Sequence, residues 1–154
     1  MAQSPVTKED AVMVLREFKA IRIYQGSLDK GADIVEGLSA VMKQQHIEAG
    51  MVSGIGAVSE ARLAYFNAQT KLYEEKHFKE NMEIVSLKGN ISFKDNSIFP
   101  HLHAVLSNKD FAAVGGHLLP KSYVYAFEFE IIPFEGKSFA RGFDEETGLF
   151  LWKK

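Results

Sequence analysis

Apolar and polar positions alternate with a period of two along most of this chain and switch once to a helical period. From about Val14 to Tyr24, Phe18, Ala20, Arg22 and Tyr24 alternate with Lys19, Ile21 and Ile23, a pattern that predicts a strand. Between Asp33 and His46, Ile34, Val35, Leu38, Val41 and Met42 recur at the spacing of one helix face. Strand patterns then occupy residues 51–57, 61–66, 72–79 and 83–93. After Pro100, the run His101-Leu102-His103-Ala104-Val105-Leu106 alternates again and stops at Asn108-Lys109-Asp110, a turn signal. A last strand at 123–132 sets Tyr123, Tyr125, Phe127, Phe129 and Ile131 against Val124, Ala126, Glu128, Glu130 and Ile132. One helix among many strands predicts an α+β domain, a mostly antiparallel β-sheet packed with one principal α-helix.

The segment between Pro100 and Leu119 carries the chemistry. His101 and His103 are two apart on a strand, so both point from one face, with side chains starting about 6.5 to 7 Å apart. If Asn108-Lys109-Asp110 closes a hairpin, His117 returns across from His101 or one residue off, with Gly115 and Gly116 opposite His103. Three imidazoles on a stiff sheet suit zinc or another borderline divalent ion and leave one coordination position open. Two other readings stay open: hydrogen-bonded histidines at a subunit interface, and metal-free acid/base work.

Composition narrows the class. With 154 residues, 46% hydrophobic and 25% charged, the chain reads as one domain over 14–154 behind an N-terminal extension, 1–13. There is no cysteine, so any zinc-like ion relies on His and carboxylate. The N-terminal residues lack the apolar core of a signal peptide and no stretch is long enough to span a membrane, which predicts a cytoplasmic protein. The net charge of −2 gives no global attraction for phosphate, the four arginines Arg16, Arg22, Arg62 and Arg141 are scattered, and the lysines read as ordinary solvated ones.

Several local features read as structural. Phe66-Asn67-Ala68-Gln69-Thr70-Lys71-Leu72-Tyr73 parallels Phe143-Asp144-Glu145-Glu146-Thr147-Gly148-Leu149-Phe150, and both predict turns in which Asn67 or Asp144 accepts from backbone amides further on. Gly54-Ile55-Gly56 precedes a strand pattern rather than a helix, so it predicts a bulge or close packing and not a phosphate loop. His46 reads as a helix-end residue and His77 as solvated. Asn90 falls at a turn or sheet edge, and Ser53 and Ser86 are small strand residues.

Ser53-Gly54-Ile55-Gly56-Ala57, Glu83-Ile84-Val85-Ser86-Leu87-Lys88-Gly89-Asn90-Ile91, His101-Leu102-His103-Ala104, Gly115-Gly116-His117-Leu118 and Phe143 to Leu149 together resemble the plants and prokaryotes conserved (PPC) domain, over nearly all of 14–154. One departure is Glu80-Asn81-Met82, where the family usually carries Gly-x-Phe or Gly-x-Leu. The resemblance implies an α/β domain with a mostly antiparallel sheet packed on a helix, a free-standing homotrimer, and His101, His103 and His117 lying together. Glu83 is the preferred carboxylate to accept a proton from a metal-bound water, because it belongs to the matching motif, and Glu128 is second. Plant relatives fuse the domain to AT-hooks, and this chain has no such element. The leading expectation is a homotrimer whose three-histidine divalent-metal site binds or transforms a small ligand. The alternatives are a DNA-binding regulatory protein and a non-enzymatic protein-interaction trimer.

Overall fold

A computed structural model describes residues 15–153; the expected extension, 1–13, lies outside the described residues. The chain runs β1 (Lys19–Ala20), β2 (Tyr24–Leu28), α1 (Ile34–Gln44), β3 (Gly50–Asn67), β4 (Leu72–Phe78), β5 (Met82–Lys94), β6 (Ser97–Ser107), β7 (Ala113–Leu118), β8 (Tyr123–Glu135), β9 (Arg141–Asp144) and β10 (Leu149–Trp152). One helix on an antiparallel sheet is the α+β architecture that the periodicities predict.

The main sheet has the order β1-β8-β3-β5-β6-β7, with β2 on β8 and β4 on β3. β3 is long enough to serve two sets of neighbours. Its first half pairs with β5 and β8, and its second half pairs with β4 and, through Leu63–Leu118 and Ala64–His117, with β7. The pairings therefore close a ring β3-β5-β6-β7-β3, which bends the histidine hairpin back over the far end of β3. Gly54 and Gly56 make the bend feasible. The β3–β5 register shifts between them, and a Cβ on Gly56 (φ +144°) would sit 2.2 Å from the Ala126 carbonyl oxygen. The bulge expected there is present.

α1 covers the inner face of the sheet. Ile34, Leu38 and Met42 are fully buried against the strands, meeting Leu102, Leu106, Val124, Phe127 and Ile131 in one core cluster. The helix starts at Asp33, whose Oδ1 accepts from the Val35 and Glu36 amides at 2.9 and 3.1 Å while Oδ2 accepts from the Lys121 amide. One carboxylate thus satisfies the helix N-terminus and anchors the approach to β8. Asp33→Ala is expected to lower stability by about 1 to 2 kcal/mol, at the upper end of capping effects because two elements lose their tie; urea unfolding measures it, with Asp33→Asn as the partial rescue.

Three expectations change. The single strand expected at 14–24 is two short pieces, β1 and β2: Ile21 and Ile23 alternate correctly but stay half or more exposed, because none of the described residues covers them. The two strands expected at 51–57 and 61–66 are one continuous β3, whose irregularities against β8 at Ala57–Glu60 break the alternation without ending the strand. β9 and β10, four residues each, form a separate two-stranded sheet beyond the last predicted strand.

Candidate metal and ligand site

The histidine hairpin is built as expected except for its register. His117 pairs with His103, and Gly116 and Gly115 face Ala104 and Val105. The cause is the turn: β6 ends at Ser107 opposite Ala113, so the loop is Asn108 to Ala112 rather than three residues. The Asn108 side chain holds it by accepting from the Asp110 and Ala112 amides at 3.0 and 2.9 Å, and Phe111 takes positive φ (61°). The longer loop shifts the pairing by two residues, an even number, so His117 keeps the face of His101 and His103.

The three rings surround a common point. Ring centroids are 5.0 Å apart for His101–His103 and His101–His117 and 5.4 Å for His103–His117, and one nitrogen of each lies within 4.8 Å of the others. His101 Nε2 and His103 Nε2 are 3.3 Å apart. Two nitrogens on a tetrahedral zinc at about 2.0 to 2.1 Å stand about 3.4 Å apart, so this pair already spans one edge of such a site. His117 leaves Nδ1 buried with no protein hydrogen-bond partner. The donor set is all nitrogen, with no carboxylate.

Electrostatics keep these lone pairs available. Burial, then Arg141, His117 and His103, push the His101 pKa down from 6.5 to about 4. Burial, then His103, Arg141 and Lys94, lower His117 likewise to about 4. Both rings are therefore neutral at pH 7. The unfolded chain takes up these protons near pH 6.5 and the folded chain only near pH 4, so protonation favours unfolding between the two values. Metal-free protein is expected to be insensitive to these groups above pH 6.5 and to lose stability as pH falls toward 4, on the order of 1 kcal/mol per ring after allowance for solvent screening at half-buried positions. Urea midpoints across that range test this, and His117→Gln should flatten the slope.

Arg141, on the unpredicted β9, braces the site. Its Nε donates to Ser92 Oγ (2.8 Å), Nη1 to the Phe150 carbonyl (3.0 Å) and Nη2 to Asn90 Oδ1 (2.9 Å), with a longer Nη2 contact to His101 Nδ1 (3.4 Å). A guanidinium only donates, so this last contact places the His101 proton on Nε2. Holding a metal through Nε2 would require that proton on Nδ1, where it would face the Arg141 Nη2 donor, so the 3.4 Å contact would be lost. The other three bonds are unaffected.

The histidines form the floor of a chamber of about 1100 Å³. The parallel segments both wall it. Asn67 Oδ1 accepts from the Gln69 and Thr70 amides, Asp144 Oδ2 from the Thr147 amide and hydroxyl, so both are the turns predicted. Their tips touch, Lys71 Nζ donating to the Glu145 carbonyl at 2.7 Å, and each turn leads into aromatic wall residues, Tyr73 and Phe150. Lys71, Lys88, Lys94 and Arg141 line the chamber; Lys71 and Lys88 are exposed and Lys94 is half-buried. Lys88 and Lys94 share β5, and the fold brings Lys71 and Arg141 to them from distant segments. Glu83 lies elsewhere: it is exposed, opposite Ser107, four residues along β6 from His103, and is not part of the chamber wall. Glu128 lines a different depression with Gln25, Ser53 and Glu130. Asn90 reaches the site through Arg141, His77 Nε2 is 3.4 Å from Glu60, and His46 follows α1 with φ 52°.

Solved structures share this architecture. A metal-containing protein of Archaeoglobus fulgidus is 39% identical, with a TM-score of 0.88 over 92% of this chain and 100% of that one. A plant- and prokaryote-conserved protein of Pyrococcus horikoshii is 30% identical, with a TM-score of 0.86 over 92% and 98%. A candidate DNA-binding protein of Bacteroides thetaiotaomicron is 35% identical, with a TM-score of 0.80 over 89% and 96%. Two Synechococcus proteins named bifunctional protein GlmU are 31% and 30% identical over 107 residues, 69% of this chain, which spans only 16% of their length. Residues 15–135, from the first described residue to the end of β8, match the Plants and Prokaryotes Conserved (PCC) domain, and the chain belongs to that family.

Proposed function

We propose that this chain binds a divalent metal ion through His101, His103 and His117, zinc being the best chemical match, and uses the site to bind or transform a small ligand in the chamber above it. The observation that carries the reading is the convergence of three imidazoles, two with nitrogens a tetrahedral edge apart, on a face otherwise free of hydrogen-bonding partners for His117 Nδ1. The metal-containing relative from Archaeoglobus supports it. Bound there, the ion supplies Lewis acidity and an open coordination position. The protein's own contribution is position: Arg141, tied to Ser92, Asn90 and the Phe150 carbonyl, braces the strands beside His101, and aromatic rings flank the histidines. With Glu83 and Glu128 outside the wall, the reading assigns no carboxylate base.

The proposed assembly is a cytoplasmic homotrimer. Met51, Ile55, Val85 and Tyr125 stand about half exposed on the central strands, apolar surface that a second copy would cover. No helix among the described residues is long and apolar enough to cross a membrane.

The test is elemental analysis of untagged protein together with its mass in solution. One equivalent of metal per chain, lost on chelation and regained from added zinc, is expected in a particle of three chains. Metal-free protein that gains no zinc on titration overturns the site. The Bacteroides relative keeps a DNA-binding reading in view; a shift of duplex DNA at low salt that weakens steeply with salt supports it, and no shift at low salt removes it.

A further inference from the structure

The chamber carries fixed charge of one sign. Lys71, Lys88, Lys94 and Arg141 line it, and no Asp or Glu does. Among the described residues the ion pairs within 4 Å are Arg62 with Glu75 and His77 with Glu60, so none of the four is paired directly with a carboxylate; Lys71 feels Asp144 at longer range, and Lys88 also borders the depression that holds Glu128 and Glu130. What they touch is neutral. Lys71 meets a backbone carbonyl, Arg141 meets hydroxyl, amide, carbonyl and imidazole, and Lys94 Nζ lies 4.1 Å from the Phe150 ring centroid and 5.5 Å from that of Phe99. A divalent ion held by three neutral imidazoles adds two further positive charges, since no protein carboxylate takes part. Like charges gathered in a partly enclosed space repel one another, and the arrangement is favourable once a counter-charge enters.

The walls say what carries that charge. Tyr65, Tyr73, Phe99 and Phe150 present ring surface to the chamber, Tyr65 being 68% exposed and Tyr73 48%. The volume of about 1100 Å³ is far larger than an inorganic anion needs and falls at the upper end of small-molecule pockets. We propose that the ligand is a small organic anion, a carboxylate or phosphate group on an aromatic or other flat apolar body, with its charged end among Lys88, Lys94 and the histidines and its body against the rings. This deepens the reading above and rests on the chamber being the ligand site.

The experiment is calorimetric titration of the full, zinc-supplemented chain with phenyl phosphate, benzoate, inorganic phosphate and neutral benzyl alcohol, against wild type and the Lys88→Gln/Lys94→Gln double variant. At least one aryl anion is expected to bind ten times more tightly than benzyl alcohol and inorganic phosphate. The double variant should lose at least tenfold of that affinity with an unchanged urea midpoint, and added salt should weaken the wild type. No binding of either aryl anion, equal binding of benzyl alcohol or of inorganic phosphate, or an unaffected double variant overturns the inference. Zinc content of the same samples separates the two readings. Full zinc without anion binding sinks this inference alone, whereas lysine-dependent anion binding in protein that retains no zinc supports it and sinks the metal site.

Discussion

His103→Ala is expected to lower zinc affinity at least about a hundredfold and to leave the fold intact. Removing an outer partner of a metal-binding histidine already costs about ten- to a hundredfold, and His103 would be lost as a ligand outright. It is also the cleanest of the three to remove. His103 is exposed, whereas His101 and His117 are partly buried and the His117 ring lies 5.7 Å from the Tyr73 ring in a tilted contact, so their replacement disturbs packing along with the donor set. Loss of zinc in competition with a chromophoric chelator, with circular dichroism and the urea midpoint unchanged, is the predicted outcome. His101→Ala and His117→Ala should match it in metal affinity and differ by some loss of stability. Retention of wild-type zinc affinity in His103→Ala would mean that the rings converge for a structural reason.

The sequence made the histidines visible because a strand's period of two is strict: residues 101 and 103 must share a face, and an even register shift returns 117 to it. It made α1 visible because five apolar residues between Asp33 and His46 recur at helical spacing. It concealed what depends on long-range pairing. The turn length is not legible locally because Asn108 can cap a three- or a five-residue loop, and only the Ser107–Ala113 pairing decides. The charge of the chamber was hidden for a related reason. Lys71, the β5 pair Lys88 and Lys94, and Arg141 belong to three separate segments, which meet because β3 pairs with both β5 and β7, and because Phe93 bridges to Ala140 and brings β9 beside β5. The two parallel turns gave a local signal for the walls, aromatic residues flanking a fixed turn, but their chemistry is common to many hairpins and said nothing of facing each other.

Gly89→Ala is expected to be the most damaging single methyl group that can be added near the site, with a loss of about 2 to 3 kcal/mol and a parallel loss of metal affinity. Gly89 sits at the centre of β5, between Val52 of β3 and Leu102 of β6. A Cβ there would lie 2.3 Å from the His101 carbonyl oxygen, 3.1 Å from the His101 carbonyl carbon and 2.6 Å from Leu102 Cδ2. A flexible side chain could swing aside, but the two closest constraints are the backbone of the metal-binding strand and a leucine that is 1% exposed in the core. Relief therefore requires β6 to move away from β5, and overpacking of this kind costs about 1 to 3 kcal/mol. The same motion displaces His101 from Arg141 and from the other two rings, so stability and metal binding fall together. Gly115→Ala is the control on the neighbouring strand: its nearest neighbour would be the Ala104 carbonyl oxygen at 3.3 Å, next to solvent, and its urea midpoint should stay within about 0.5 kcal/mol of wild type. A Gly89→Ala protein with the wild-type midpoint and full zinc would show that β5 and β6 yield at this contact, and that the site tolerates movement of its own strand.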